Sequence, residues 1–218
     1  MRPRAKAVLA AAAVIVIAGP VQAAGRPNPA CPTIIDAPSD QGPVLDGGLP
    51  DSEPGATALD LQSVNVGATH DDLVVTLSVT DINDREPVYV GHRYSFGFGT
   101  ETTRYALVAD LSSDGNDFAL FSGPLDATGS ATRMTGVAEI HGAVEAASNT
   151  VRMTVPLALL RKIGATGRVT GLEATAGREI QNLQVNTQLM KVGHGGYTSV
   201  EDTLSTPHPY AMGSRGCP

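Results

Sequence analysis

The residues best suited to chemistry in this chain are the carboxylates of its N-terminal part. Ten Asp and Glu residues lie between Arg26 and Arg85, a stretch that contains no Lys or Arg. Crowded carboxylates repel one another, and a hard cation such as calcium, which takes about six to eight oxygen ligands, relieves that repulsion. Asp81, Asn83 and Asp84 follow a strand-like segment and are the predicted calcium ligands. The alternative is that these acids form turns and solvated loop ends.

A second acidic segment, DLSSDGNDF from Asp110, begins like an EF-hand calcium loop. Asp110, Asp114 and Gly115 occupy matching positions, but Phe121 stands where the loop needs an acid. The surrounding residues alternate as in a hairpin, and Asp-Gly is a typical hairpin turn. We therefore predict a turn here rather than a metal site.

A candidate ligand surface lies on one side of residues 88–98. The aromatic residues of one parity belong to the predicted core: Tyr94, Phe96 and Phe98. Tyr89 and Arg93 have the opposite parity, beside Gly91 and Gly97, whose missing side chains would let a ligand approach the backbone. Tyr89 and Arg93 are therefore the predicted ligand contacts. The alternative is that the glycines mark β-bulges.

Known catalytic motifs are absent from the sequence. Neither HExxH nor GxSxG occurs, and the five histidines are scattered. His194, Glu201 and His208 are near the C-terminus and could together bind a metal ion. The Gly and Pro residues around them favour a surface loop instead. A hydrolase would have to use loop carboxylates, whose pairing depends on geometry that the sequence does not give.

The first 23 residues have the pattern of a secretory signal peptide. A basic start with Arg2, Arg4 and Lys6 precedes an apolar run of thirteen residues, and the triplet VQA fits a small-residue cleavage site. The apolar run is shorter than the roughly 20 residues of a membrane-spanning helix. We expect export to a secreted or extracellular location, and a mature chain of residues 24–218 without a membrane span.

The mature chain is acidic and contains both cysteines. Removing the three basic residues of the signal takes the formal net charge from −7 to −10. This charge argues against nucleic acid or an anionic membrane as partner, because both attract basic surfaces. Cys31 and Cys217 are predicted to form one disulfide, the default for a lone pair of cysteines in an oxidising compartment. That bond would disfavour the unfolded chain by roughly 5 kcal/mol in the chain-entropy account.

Period-two alternation of apolar and polar residues runs through residues 59–174 and predicts strands. About eight such segments follow one another at intervals of about ten residues, with turn residues between them. The alternation slips near Ser63, which predicts a β-bulge, and residues 134–144 are predicted as one strand. Residues 156–163 begin with Pro and end with basic residues, the pattern of a short helix. We predict one all-β domain over residues 24–218, an antiparallel, jelly-roll-like β-sandwich with one short helix.

The layout of residues 33–175 resembles the family 9 carbohydrate-binding modules and the related DOMON-like sandwiches of secreted bacterial proteins. The shared features are an acidic entry over residues 36–51, the strand pair LDLQSVNVGATHDDLVVTLSVTDI, and the strand-to-helix corner NTVRMTVPLALL. The resemblance implies a sandwich that binds sugar, which family 9 modules hold between tryptophans, whereas this chain has no Trp. DOMON-like domains that hold haem use Met or His ligands, and no position here matches one. The resemblance therefore implies the fold more directly than either function.

Taken together, these features predict a secreted, non-catalytic binding module for extracellular or cell-surface carbohydrate, stabilised by calcium. Two alternatives stay open. One is a protein-interaction module, an adhesin or inhibitor that binds a surface protein through an apolar patch or an open sheet edge. The other is a secreted hydrolase that uses loop carboxylates.

Calcium in the acidic loops would bind the native state and not the unfolded chain, so it would raise the melting midpoint. On this hypothesis the midpoint of residues 24–218 is several degrees higher in calcium than in EGTA at matched ionic strength. Replacing Asp81 and Asp84 by Asn would abolish the difference. Coincident melting curves for the unmodified protein would assign the carboxylates to solvated turns.

Overall fold

Two antiparallel sheets contain most of the residues that the computed structural model describes. The described residues are 34–35, 57–83, 90–112, 115–180 and 197–214. All of them belong to one compact unit, residues 31–218. The strands are β1 (Ile34–Ile35), β2 (Leu61–Ala68), β3 (Asp72–Val79), β4 (Val90–Gly99), β5 (Thr103–Ser112), β6 (Gly115–Pro124), β7 (Thr135–Glu139), β8 (His141–Glu145), β9 (Thr150–Pro156), β10 (Arg168–Ile180), β11 (Tyr197–Thr206) and β12 (Tyr210–Ala211). The helix α1 covers Leu157–Lys162.

The strands pair in two separate sets. The smaller sheet has the order β1-β2-β3-β9-β8, and the larger sheet has the order β11-β10-β4-β5-β6-β7, with β12 paired to β10. Neighbouring strands are antiparallel in both sheets. The register of β2 against β3 shifts between Leu61 and Ser63, as the slip in the sequence pattern predicted. The predicted all-β antiparallel sandwich with one short helix is confirmed.

Residues of one parity in each strand fill the space between the sheets. Alternate residues of 73–79 are buried in β3, and Tyr94, Phe96 and Phe98 are buried in β4. They belong to one buried cluster with members from both sheets. Tyr94 also donates its hydroxyl hydrogen to the carbonyl of Ala58 at 2.7 Å. Each large side chain buried in this way contributes roughly 1.5–3 kcal/mol, so the shared core holds the sheets face to face.

The chain passes from the larger sheet to the smaller one at Ile140. This single residue separates β7, at the edge of the larger sheet, from β8, at the edge of the smaller sheet. The prediction of one strand over residues 134–144 is therefore wrong. The N–H of Ile140 donates to the carbonyl of Phe118 in β6 at 3.0 Å. That bond holds the crossing against the larger sheet.

Two hydrogen bonds close the opposite side of the sandwich, one at each end of β2. The N–H of Leu61 donates to Oδ2 of Asp202 in β11 at 2.7 Å, and the N–H of Ala68 donates to the carbonyl of Ser214 at 3.0 Å. Asp202 is buried, and its Oδ1 accepts from the N–H of Thr203 at 2.7 Å. The edge strand of the larger sheet thus supplies the acceptor that β2 needs where it begins.

The helix α1 is tied to both sheets. It begins after Pro156, and its first N–H, from Leu157, donates to the carbonyl of Asp71 in the β2–β3 turn at 2.7 Å. The hydroxyl of Tyr105 in β5 donates to the carbonyl of Ile163 at 2.8 Å. Among the described residues, no helix is long and apolar enough to cross a membrane.

The Asp202 carboxylate should contribute measurably to stability. Asp202→Ala leaves the buried N–H of Leu61 without this acceptor, and we expect a loss of about 1–3 kcal/mol in the free energy of unfolding. Glu145→Ala is the control, because Glu145 forms a half-exposed ion pair with Arg152 at 3.5 Å. That pair should contribute less than about 1 kcal/mol. Urea denaturation of both variants measures the difference, and equal losses would contradict the role given to Asp202.

Candidate functional site

The outer face of the larger sheet carries a group of apolar side chains. Ala106 and Val108 of β5 lie directly opposite Phe121 and Ala119 of β6. Their parity is opposite to that of the buried residues Tyr105 and Leu107, and none of the four belongs to the core cluster. Ala106, Ala119 and Phe121 are partly exposed, and Val108 lies between them at 9% exposure. We name these four residues the outer apolar strip.

The sequence of β5 explains why this strip exists. In TRYALVADLS both parities are apolar at the centre, so the strand has an apolar outer side as well as an inner one. A strand with a fully solvated outer side alternates cleanly between apolar and polar residues. Ala106 and Val108 break that alternation. In the sequence, this break in the alternation was the feature that could have indicated an apolar outer face.

A bidentate ion pair lies at one end of the outer apolar strip. Arg93 of β4 and Asp110 of β5 are cross-strand neighbours, with Nε to Oδ1 at 2.5 Å and a second nitrogen, Nη2, to Oδ2 at 2.9 Å. The side chains are 32% and 26% exposed. The predicted ligand residue Arg93 therefore lies on the outer face, where Asp110 holds its guanidinium in a fixed plane. Asp110 belongs to the β5–β6 hairpin, which confirms the predicted turn.

A second arginine covers the position where an open backbone was predicted. Arg104 of β5 extends across Gly97 of β4, donates from Nη1 to the carbonyl of Gly171, and has Nη2 at 3.6 Å from Glu173 of β10. A Cβ added at Gly97 would collide with this guanidinium. The missing side chain at Gly97 thus accommodates Arg104 rather than open space.

A pair of hydroxyl groups lies between the two ion pairs along β4. Ser95 lies between Arg93 and Gly97, and its Oγ is 2.6 Å from Oγ1 of Thr175 in β10. The pair Arg93–Asp110, the pair Ser95–Thr175 and the pair Arg104–Glu173 form what we name the polar row. It runs beside the outer apolar strip, because β4 and β5 are neighbours in register.

The β6–β7 loop bounds the same face at one end. A Cβ added at Gly123, which lies opposite Arg104, would collide with the carbonyl of Arg133 and come within 3.0 Å of Sδ of Met134. The Thr132 N–H donates to the carbonyl of Pro124 at 3.2 Å. The loop therefore folds back onto the sheet and forms a wall beside Arg104.

The predicted calcium ligands are only partly within the described residues. Asp81 and Asn83 follow β3, and Oδ1 of Asp81 accepts from the Asn83 backbone N–H at 3.0 Å and from its side-chain amide at 3.3 Å. This is the arrangement of a turn that Asp stabilises with its own side chain. Asp84 lies outside the described residues. Within the described part of the chain, no group of three or more His, Cys, Asp or Glu side chains is placed to hold a metal ion.

A buried carboxylate beside this turn has a structural role. Asp60 is 6% exposed, and its Oδ2 accepts from Nε2 of Gln62 at 2.9 Å and from the hydroxyl of Thr80. Its backbone carbonyl accepts from the Thr80 N–H at 3.0 Å. Asp60 thus fixes the end of β3 against the start of β2.

Among the described residues, Asp126 in a loop and Tyr210 in β12 have shifted pKa values. The Thr128 hydroxyl and the backbone N–H groups of Ser130 and Thr128 hold the pKa of the exposed Asp126 below its usual value. Burial raises the pKa of Tyr210 to about 12, and the Tyr210 hydroxyl donates to the carbonyl of Ser214 at 2.8 Å.

Two further sequence predictions concern residues outside the described ranges. One is Tyr89, the second predicted ligand contact, and the other is the disulfide predicted between Cys31 and Cys217. Comparisons with known proteins add no assignment: no family model, no curated protein and no solved structure matches this chain.

The contact of Arg104 over Gly97 predicts an energetic coupling between the two residues. Gly97→Ala should displace the guanidinium and cost its hydrogen bond, whereas in an Arg104→Ala background the same change should be neutral or stabilising, since it only restricts the unfolded chain. We expect a coupling free energy of about 1 kcal/mol from urea denaturation of the four proteins.

Gly67 of β2 is the matched control for that cycle, because nothing lies within 4 Å of a Cβ added there. Gly67→Ala and Arg104→Ala should have additive effects on stability. Additivity of Gly97→Ala with Arg104→Ala would instead show that Arg104 does not occupy the space above Gly97.

Proposed function

We propose that this protein is an exported, non-catalytic module that binds extracellular or cell-surface carbohydrate on the outer face of its larger sheet. The observation that carries the proposal is the outer apolar strip lying parallel to the polar row. A secreted location, the calcium-stabilised loop and the Cys31–Cys217 disulfide are parts of the same proposal, supported by the sequence patterns described above.

The two lines of side chains match the two chemical faces of a sugar ring. A pyranose presents C–H groups on its faces and hydroxyl groups around its rim, so it is suited to an apolar surface with fixed polar groups beside it. Phe121, which is partly exposed, supplies apolar surface. Arg93 and Asp110 supply a donor and an acceptor that already hold each other in place.

The scaffold supports binding because the site residues lie on strands rather than on loops. Ser95 and Thr175 hold each other by a hydrogen bond, and Arg104 is held by Gly171 and Glu173. Side chains fixed before binding lose little conformational entropy when a ligand arrives. This preorganisation favours a binding role for the face.

The proposal predicts that one aromatic side chain is central to binding. Purified protein should be retained by at least one insoluble cell-wall or plant polysaccharide, and Phe121→Ala should weaken binding about fivefold to tenfold through loss of the ring contact. Phe121→Leu should have a smaller effect, since it keeps apolar area. Depletion isotherms on the retained polysaccharide measure these affinities.

A matched pair of arginine variants provides the control. Arg93→Ala should weaken binding, whereas Arg152→Ala should not, because Arg152 forms its half-exposed ion pair on the outer face of the smaller sheet. Retention by no polysaccharide, or equal effects of the two arginine changes, would contradict the proposal. Circular dichroism of each variant establishes that it is folded.

A further inference from the structure

We propose that two copies of this chain associate through the free side of β8 and form a two-fold dimer, in which the smaller sheet continues from one copy into the other. The two β8 strands pair antiparallel, with Ala143 of one copy opposite Ala143 of the other. Three features support this dimer: the open edge of β8, the apolar side chains beside it and the residue types along the strand. The dimer does not depend on the carbohydrate function proposed above.

The free side of β8 is a sheet edge that the fold leaves open. β8 ends the smaller sheet, and within the described ranges its only strand partner is β9. An antiparallel strand directs the N–H and C=O groups of alternate residues to opposite sides, so one set along β8 faces away from β9. Four of its five residues are exposed, all except Val144. The strand contains neither Lys nor Pro, which commonly block pairing at an edge.

The other outermost strands of the two sheets are protected in ways that β8 is not. β1 has only two residues, and very short edge strands are poor templates for a further strand. The Asp202 carboxylate of β11 is bonded to the N–H of Leu61 in β2. The pairing of β7 with β6 shifts in register between Leu120 and Phe121, and such irregularities at an edge oppose strand addition. Addition of a strand is therefore directed to β8.

Apolar side chains that the core does not fully bury lie beside β8. One of them is the ring of Phe118 in β6, which occupies the space that a side chain at Gly142 of β8 would need. The others come from β7, from β8 and from the residue between them. All four pack against the core cluster and stay partly exposed: Phe118, Val137, Ile140 and Val144. A sheet that continues past β8 would cover this apolar surface, and its removal from water favours association.

The inner side of β8 fits a second copy of itself in the proposed register. Gly142 and Val144 occupy this side, because their partners in β9, Met153 and Val151, are core residues. In the dimer, Val144 of each copy lies opposite Gly142 of the other. The branched side chain thus meets the residue that has none, and it is placed beside the Phe118 ring that covers that glycine.

The outer side of β8 is complementary in charge in the same register. His141, Ala143 and Glu145 occupy this side, and His141 of each copy lies opposite Glu145 of the other. An imidazole N–H can donate to a carboxylate whether the ring is neutral or protonated, and such cross-strand pairs stabilise a sheet. Glu145 is already oriented, since Oε1 accepts from Arg152 at 3.5 Å and Oε2 from the Ser148 hydroxyl at 3.4 Å. At the axis, the small side chain of Ala143 meets its own counterpart.

Two-fold pairing through β8 limits the assembly to two copies. The same five residues of each copy form the interface, so it closes on itself. Because the interface is small, we expect a weak dimer with a dissociation constant on the order of 10–100 µM. The two-fold axis is perpendicular to the smaller sheet, so both larger sheets lie on the same side of the dimer. Two copies of the carbohydrate site proposed above would then bind one polysaccharide surface together.

Sedimentation equilibrium and a charge exchange across the axis test the dimer. We expect monomers at about 1 µM, dimers at about 500 µM and no larger species. His141→Glu places a carboxylate opposite Glu145 in both pairs, and it should weaken the dimer by about tenfold or more. Adding Glu145→His to this variant restores unlike groups in both pairs and should recover most of the affinity. Positions 141 and 145 are exposed, and circular dichroism establishes that each variant is folded.

Glu139→His in the His141→Glu background is the matched control. Glu139 is exposed at the end of β7, and it is the residue that would face position 141 if the pairing were centred on Ile140. This second change should not recover the affinity. Monomers at every concentration, larger assemblies, an unchanged dimer in His141→Glu, or recovery by Glu139→His instead of Glu145→His would overturn the proposed pairing. Because no carbohydrate is present, none of these results affects the proposed function.

Discussion

The closure of the sandwich at β2 is the constraint on which the rest of the structure depends. A two-sheet sandwich leaves the outermost strand of each sheet with unpaired backbone groups, and such edges are prone to wrong pairing. Here the buried carboxylate of Asp202 reaches from the larger sheet to the Leu61 N–H of the smaller one. A buried carboxylate is tolerated only when it accepts hydrogen bonds, and Asp202 accepts one from each sheet.

A closed core allows the larger sheet to carry apolar residues on its outer face. The inner side of β5 supplies Tyr105 and Leu107 to the core cluster, whereas Ala106 and Val108 lie outside that cluster. Such residues on a strand surface invite association. The flanking ion pairs oppose edge-to-edge or face-to-face association because their charges resist desolvation. Arg93–Asp110 and Arg104–Glu173 therefore restrict what can cover the strip, a restriction that the ligand class of the proposed function meets.

The sequence predicted those parts of the fold that depend on local alternation. Residues 73–79 alternate, and Tyr94, Phe96 and Phe98 share one parity, so the core faces of β3 and β4 followed from period two. The bulge beside Leu61 showed as a slip in the same pattern. The division of residues 134–144 at Ile140 did not show, because both halves alternate and their assignment to different sheets depends on contacts with β6 and β9. The strand β11 was missed because its sequence, YTSVEDTLST, contains few apolar residues and so shows little alternation.

In the candidate site, too, the sequence predicted what depends on one strand and missed what depends on residues far apart in the chain. Arg93 was identified by parity, which is a property of one strand. Its partner Asp110 begins a segment that resembles a calcium loop, and only the register of β4 against β5 shows Asp110 as the other half of an ion pair. Arg104 was not identified at all, because its position over Gly97 depends on Glu173 and the carbonyl of Gly171, about 70 residues away in the chain. A glycine in a strand indicates a close approach. The sequence does not say whether a ligand or a side chain of the protein makes that approach, and in the structure the side chain of Arg104 makes it.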